Sequence, residues 1–271
     1  MNGGAVLLYL HVPKTAGTSL IDVIYRQHND STGSREEGGW FCNGVYYYPG
    51  EPDFIRPCKP HHPYRIVQPS SILKALSRDD LRVVAGHFSF GLHTIVDRPT
   101  TYATMLRHPV DRITSLYYHL KRWPRHEEHE PWLERVGLRP VGAEISLEQF
   151  IRDYPLRELD NDQTRRLAGQ DPEFGKCNRS LLDLAKSNIE NHFSFVGITE
   201  RFEESLLVAG DEFDWCTQGQ SCKELVNECR VPTSLIPSSA REAILERNTL
   251  DLELYSFANE RLNDRFRAVR P

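Results

Sequence analysis

Lys14, Thr15, Gly17, Thr18 and Ser19 fall within six residues of one another, and together they have the chemistry of an anion cradle. They follow an apolar, β-rich run from Val6 to Val12 and precede a helical pattern in which Leu20, Ile21, Ile24 and Tyr25 are apolar. A helix N-terminus offers unpaired N–H groups and the positive end of the helix dipole. Lys14 adds charge, the three hydroxyls add polar contacts, and Gly17 lets the backbone approach a ligand closely. The N–H groups from Ala16 to Ser19 would hold a phosphate. An ordinary strand-to-helix turn capped by Thr18 or Ser19 is the plain alternative. The loop is not a Walker A motif, because Lys14 precedes Gly17 and no Gly-Lys-Ser/Thr occurs in it. No strand-terminal Asp stands out as a Mg²⁺ ligand, which weighs against metal-dependent phosphoryl transfer.

A second polar set lies in Arg107-His-Pro-Val-Asp-Arg-Ile-Thr-Ser115. Arg107 ends an apolar run from Thr101 to Leu106, and Ser115 sits about two turns into the following helix. A guanidinium fork and a hydroxyl converging in this way suit a second phosphate; a surface ion pair between Arg107 and Asp111 is the alternative. Two anion sites imply a ligand with two well-separated phosphoryl groups. Between them in sequence, Gly86-His87 closes another apolar run.

These groups must be positioned by alternating strands and helices. Strands are expected over Val6–Val12, Leu81–Ala85, Thr101–Leu106 and Phe193–Ile198. Helices are expected at Ser70–Leu76, Asp111–Arg122, Leu147–Arg152, Asn178–Asn191, about Glu200–Val208, Ser238 to about Asn248, and Leu250 to about Ala268. Leu254, Phe257, Ala258, Leu262 and Phe266 form the apolar stripe of the last helix. The alternation predicts an α/β fold, a mostly parallel central sheet flanked by helices, within one domain over residues 1–271. An aromatic, Gly/Pro-punctuated excursion at about 31–64 interrupts it, with a hairpin expected around Gly44 to Pro49. This excursion is expected to wall the acceptor side of the cleft, with Trp40, Tyr47 and His61 as substrate contacts; packing within a lid is the alternative for the aromatics.

Composition narrows the function. The chain of 271 residues has 33 Lys plus Arg against 38 Asp plus Glu, a net charge of −5, so no nucleic-acid partner is expected. No run approaches the roughly 18 apolar residues of a membrane span, and no signal-peptide pattern precedes Ala5. A cytoplasmic setting is expected, with the Golgi lumen as the alternative for a chain whose anchor has been removed. Six cysteines are read as reduced thiols, although Cys216, Cys222 and Cys229 lie close enough in sequence to pair. Neither Cys58, His61 and His62 nor His126 and His129 has the spacing of a four-ligand zinc site, so no metal is expected. Oligomeric state is left open.

The stretch from His11 to Leu20 resembles the 5′-phosphosulfate loop of sulfotransferases that use 3′-phosphoadenosine-5′-phosphosulfate (PAPS), and Leu106 to Leu120 resembles their 3′-phosphate motif. The similarity is to the heparan sulfate and uronyl 2-O-sulfotransferase branch and its bacterial relatives. Gly86-His87, Phe195-Val-Gly-Ile-Thr-Glu200 and the helix from Glu253 to Phe266 are similar to further stretches of that branch, so the resemblance spans about residues 5–266. It implies a P-loop-kinase-like sulfotransferase fold, PAPS as donor, 3′,5′-adenosine bisphosphate as product, no required metal, and a carbohydrate hydroxyl as acceptor. It implies that Lys14 and His87 are catalytic, that Lys14, Thr15, Ala16, Gly17, Thr18 and Ser19 hold the 5′-phosphate, and that Arg107 and Ser115 hold the 3′-phosphate. An imidazole titrates near neutrality and can take a hydroxyl proton, so His87 is the first candidate base and His93 the second; a satisfied core histidine at a strand end is the alternative for His87. Asn161-Asp-Gln-Thr-Arg-Arg-Leu-Ala-Gly169 resembles a stretch in bacterial relatives. From it Arg165 or Arg166 is expected to face donor or acceptor, a helix-surface arginine being the alternative. Ala85 departs from the branch, which has a second histidine there. The rival readings are a small-molecule or polyketide hydroxyl as acceptor, an ATP-dependent P-loop kinase, and a catalytically inactive nucleotide-binding module.

Overall fold

The structure, a computed structural model, describes residues 5–27, 34–36, 39–42, 45–48, 76, 79, 81–122, 145–216 and 235–269. Its centre is β1 (Val6–Leu10), five residues that are all fully buried. A continuous apolar run buried on both faces is what a central parallel strand requires. On one side β1 pairs in parallel with β5 (Val83–Gly86), and on the other with β6 (Thr100–Leu106). β7 (Phe193–Ile198) continues the parallel array beyond β6, with a register shift at Tyr102/Ala103.

The aromatic excursion adds the other edge. β2 (Ser34–Glu36), β3 (Gly39–Cys42) and β4 (Val45–Tyr48) form an antiparallel meander, and β4 pairs in parallel with β5. The sheet therefore has seven strands in the order β2-β3-β4-β5-β1-β6-β7. The expected mostly parallel sheet is present. The hairpin expected around Gly44 to Pro49 turns a little earlier, between Cys42 and Val45, and it extends the main sheet. Residues 49–75, which include His61 and most of the expected helix at Ser70–Leu76, lie outside the described residues.

Each helix buries one stripe. In α1 (Gly17–Gln27), Leu20, Ile21, Val23 and Ile24 face the sheet, and Arg26 sits at the negative end of the dipole. Pro109 opens α2 (Pro109–Arg122), where its missing N–H costs nothing. Ile113, Leu116, Tyr117 and Leu120 of α2 pack with α3 (Leu147–Asp153) and α7 (Ser238–Arg247) in a second apolar cluster. Ser146 and Gln149 form a capping box at the start of α3. Flanking the sheet are α5 (Arg179–His192), α6 (Phe202–Phe213) and α8 (Thr249–Val269); the last buries Leu254, Ala258, Leu262 and Phe266 as the pattern predicts. Among the described residues no helix is long and apolar enough to cross a membrane. Cys177 and Cys216 are unbridged, and burial pushes the Cys177 thiol up to about 12; Cys58, Cys222 and Cys229 lie outside the described residues.

The seven residues of α4 (Asp162–Ala168) are all buried, although five of them are polar or charged. Three arginines, Arg112, Arg165 and Arg166, and three aspartates, Asp160, Asp162 and Asp251, share this interior. Arg112 pairs with Asp162 at 3.4 Å and Arg166 with Asp162 at 3.0 Å. The N-termini of α4 and α8 cap each other. Asp251, in the first turn of α8, accepts the N–H groups of Gln163 (3.2 Å) and Thr164 (2.8 Å) and the Thr164 hydroxyl (2.8 Å). Asn161, in the left-handed region at φ 51, accepts the N–H groups of Leu250 (2.9 Å) and Asp251 (3.1 Å).

Because Asp251 accepts both of those buried α4 amides, Asp251→Ala is expected to destabilise the chain by about 3–5 kcal/mol, the cost of breaking a buried charged network on one side. Asp251→Asn keeps one acceptor oxygen and should lose less. Denaturant midpoints compared at constant slope measure both; a loss for the alanine variant no larger than that of a surface substitution would refute the capping role.

Candidate active site

The carboxyl ends of β1, β5 and β6 come together, because Leu10 pairs with Gly86 on one side and Thr104 on the other. Chain order crosses from β5 to β6 over β1, so this is a switch point of the kind where α/β sheets open a crevice. The Thr104 hydroxyl donates to the Leu10 carbonyl at 2.8 Å and locks the strand ends together.

The loop after β1 is tightly wound. Lys14 (φ 69) and Ala16 (φ 59) are both left-handed, separated by Thr15. Left-handed backbone costs a non-glycine residue roughly 1–2 kcal/mol, and alternating left- and right-handed residues turn successive N–H groups toward one concave side that suits an anion. Gly17 opens α1 at this point. A Cβ there would lie 1.9 Å from Cδ2 and 2.0 Å from Nε2 of His11, so glycine is required by close packing. The Thr15 hydroxyl, expected on a phosphate, instead donates to the Val12 carbonyl at 2.8 Å and is fully buried. Its contribution to a cradle is confined to the backbone. Ser19 is buried in the first turn of α1; the side chain of Thr18 is outside the description.

Arg107 joins this loop to the β6 end. Its guanidinium donates to the Lys14 carbonyl at 3.0 Å, so it holds the left-handed residue directly. The Arg107 backbone is gripped at both ends by one side chain: its N–H donates to Gln163 Oε1 and its carbonyl accepts from Gln163 Nε2, each at 2.9 Å. Arg107 Nε lies 3.7 Å from Glu200. Glu200 also accepts the His108 N–H at 3.3 Å, and the neighbouring Thr199 hydroxyl donates to the Leu106 carbonyl at 3.0 Å. The Val-Gly-Ile-Thr-Glu stretch at the end of β7 therefore orients the β6 loop. Ser115 is half-buried in α2.

His87 follows β5 directly. Its Nδ1 lies 2.9 Å from the His11 carbonyl. A carbonyl only accepts, so Nδ1 carries the proton and the lone pair is on Nε2, the form a general base needs. His93 has the opposite arrangement. The Tyr102 hydroxyl accepts the N–H groups of Gly91 (3.2 Å) and His93 (3.0 Å), which leaves its proton for His93 Nδ1 at 3.0 Å. The His93 lone pair is thus occupied, and its ring packs against Phe90 and His192, anchored to Tyr102 four residues before the end of β6.

The arginines of the 161–169 stretch are neither on a helix surface nor free to reach a ligand. Arg165, expected as a substrate contact, is 1% exposed. Its donors go to the Asp160 carbonyl (2.7 Å) and carboxylate, Asp171 (3.2 Å), and the carbonyls of Pro172 and Glu173. It fastens the 171–173 turn to α4. Trp40 pairs with Tyr47, and Tyr47 with Ala85, two residues before His87. The backbone therefore places both in the sheet that carries His87, in a row beside the cleft end; their side chains and all of His61 are outside the description. The roles of Gln163, Glu200 and His11 were not evident from sequence: each lies in a quoted motif, but nothing in residue type or spacing signals the partner.

The sulfotransferase family model matches residues 1–258. The chain belongs to the sulfotransferase family. Among individual proteins, it is 28% identical over 190 residues to heparan-sulfate 6-O-sulfotransferase 3-B of Danio rerio, covering 62% of this chain and 44% of the relative. It is 28% identical over 189 residues to heparan-sulfate 6-O-sulfotransferase 2 of Homo sapiens, covering 62% of this chain and 30% of the relative. The matched stretch is thus less than half of the length of either relative. The resemblance read from the motifs is borne out at the level of the family; the names of these relatives specify heparan sulfate and its 6-O position, where the motif resemblance pointed to the 2-O branch.

Three histidines have depressed pKa values. Burial is the main cause for His11, His93 and His108, reinforced at His11 by His87, Arg166 and Lys14 and at His93 by His192; at His108, Asp111 and Glu200 act in the opposite direction. With the folded values below the unfolded one of about 6.5, the unfolded chain binds more protons once pH falls past that point. The stability they contribute is complete above about pH 6.5 and is lost as pH falls below it. Melting temperature should hold from about pH 8 to 7 and drop toward pH 5; a flat profile across that window contradicts the assignment.

Proposed function

We propose that this chain transfers a sulfuryl group from PAPS to a carbohydrate hydroxyl. The observation that carries the reading is the Arg107 guanidinium on the Lys14 carbonyl, which unites two anion-suited loops beside a histidine in base-competent form. Two linked loops of this kind suit a ligand with phosphoryl groups at both ends, as the PAPS nucleotide has. The residues fit such a donor: left-handed backbone at Lys14 and Ala16 with the α1 N-terminus for the 5′-phosphate, and Arg107 with Ser115 for the 3′-phosphate. The donor supplies an activated sulfuryl group. His87 Nε2 takes the proton of the acceptor hydroxyl as its oxygen bonds to sulfur. The bond from sulfur to the donor's phosphate oxygen breaks, and its electron pair leaves with 3′,5′-adenosine bisphosphate. Lys14 offsets the charge that develops there.

A carbohydrate acceptor is supported by the heparan-sulfate relatives. The ring position is not assigned. The row Trp40, Tyr47, Ala85 beside the cleft end suits aromatic contact with a sugar, in keeping with an acceptor wall formed by part of the 31–64 segment.

Binding is tested by thermal shift. At 100 times its dissociation constant, 3′,5′-adenosine bisphosphate should stabilise the fold by about 2.7 kcal/mol, and ATP with Mg²⁺ by much less. Equal shifts would favour the kinase reading.

Chemistry is tested separately. His87→Ala should lose turnover on heparan-type acceptors while bisphosphate affinity stays near that of the parent protein. Arg107→Ala should weaken bisphosphate binding by about 1.5–3 kcal/mol, the worth of a charge-assisted hydrogen bond. Near-normal turnover by His87→Ala would move the base elsewhere, and bisphosphate binding without turnover of any acceptor by the parent would favour the inactive binding module.

A further inference from the structure

His11 lies in the loop motif after β1, and its ring lies between Gly17 of that loop and His87 at the end of β5. Its side chain is buried. The ring packs against His87 with centroids 4.3 Å apart and planes at 31°, and Tyr9 stacks 6.0 Å away at 12°. The Cα of Gly17 closes a third side so tightly that no Cβ fits. His11 Nδ1 is sealed from solvent and has no hydrogen-bond partner among the described residues. The backbone carbonyl of the same residue receives Nδ1–H of His87.

We infer that His11 is a positioning residue for His87: its carbonyl fixes which nitrogen of His87 carries the proton, and its ring fixes the plane in which the other nitrogen is presented. This rests on the reading of His87 as the base. A base must bring its lone pair within about 2.6–3.2 Å of the proton it abstracts. A single hydrogen bond leaves an imidazole able to rock about that bond, and a flat ring at 4.3 Å blocks the rocking. Misplacement by about 1 Å costs on the order of 10²-fold in rate.

The charges around His11 suit this role. Lys14 faces it from its own loop, His87 from the end of β5 and Arg166 from α4, and all three together with burial hold it below its ordinary pKa. An uncharged shelf neither competes for the acceptor's proton nor repels the imidazolium that His87 becomes. Gly17 then has two duties, the close approach of the loop to an anion and room for the shelf.

The test uses the full chain with ¹⁵N-labelled histidine, reading ring nitrogens by NMR and assigning His87 from the spectrum of His87→Ala. In the parent protein His87 should carry its proton on Nδ1, and His11 should not titrate in the ordinary range near about 6.5. In His11→Asn the His87 ring resonances and its titration should shift, and kcat should fall about 10²-fold with the acceptor KM and bisphosphate affinity unchanged. A folded His11→Asn protein with parental His87 resonances, pH–rate profile and kcat overturns the inference. If His11→Asn does not fold, the parent spectrum decides, since a His87 proton on Nε2 overturns it equally, and Gly17→Ala, which drives a methyl group into the His11 ring, should reproduce the resonance shift. Failure of the base reading is seen separately: His87→Ala would then keep its turnover while His11→Asn still moved the His87 resonances.

Discussion

The site depends on one hydrogen bond, from the Arg107 guanidinium to the Lys14 carbonyl. Lys14 belongs to the loop after β1 and Arg107 to the loop after β6, so this contact carries the pairing of those two strands on into the anion-suited loops beyond them. It also offsets part of the conformational cost of the left-handed residue at Lys14. The donor is itself held: Gln163 clamps the backbone of Arg107 on both sides and Glu200 lies against its Nε. Gln163 belongs to a helix whose first turn is capped by Asp251 of α8. A chain of contacts thus runs from the interior polar layer to the phosphate loop.

That layer is unusual in being charged and buried at once. Isolated ions in such a place would carry several kcal/mol of desolvation penalty each. Here Arg165 meets Asp160 and Asp171, and Arg112 and Arg166 share Asp162, while neighbouring carbonyls and amides take further donors and acceptors. Burial still raises the pKa of Asp251, with Arg112 and the Thr164 bonds acting against the rise. The charged groups contribute geometry: they place Gln163, and through it Arg107, at one angle to the sheet.

Strands β1, β5, β6 and β7 were legible in the sequence because each is an apolar run with no competing period. The tight turn between β1 and α1 was legible because an apolar strand, a short polar stretch with a Gly and a helical pattern follow in order. The 161–169 stretch misleads for a physical reason: six polar residues in a row, Asn161 to Arg166, read as surface unless their partners are known, and besides Asp160 and Asp162 close by in sequence these come from α2, the 171–173 turn and α8. Thr15 misleads in a smaller way, since a hydroxyl in a cradle is as able to satisfy its own loop, and does. The meander at 34–48 reads as a hairpin from its aromatics and glycines, but nothing local reveals that β4 will pair with β5, about forty residues on.

The position of β1 has a consequence for synthesis. Its neighbours β5 and β6 begin at Val83 and Thr100, so the most apolar strand emerges from the ribosome long before either partner. At translation speeds of roughly 5–20 residues per second, it waits about 5–20 seconds for the second of them. Throughout that interval Val6–Leu10 has at least one open edge of the kind that seeds aggregation, and α1 alone can cover only one of its faces. The same centrality that fixes the loop after β1 so firmly in the finished protein leaves the nascent chain with an exposed apolar edge until β6 has been made.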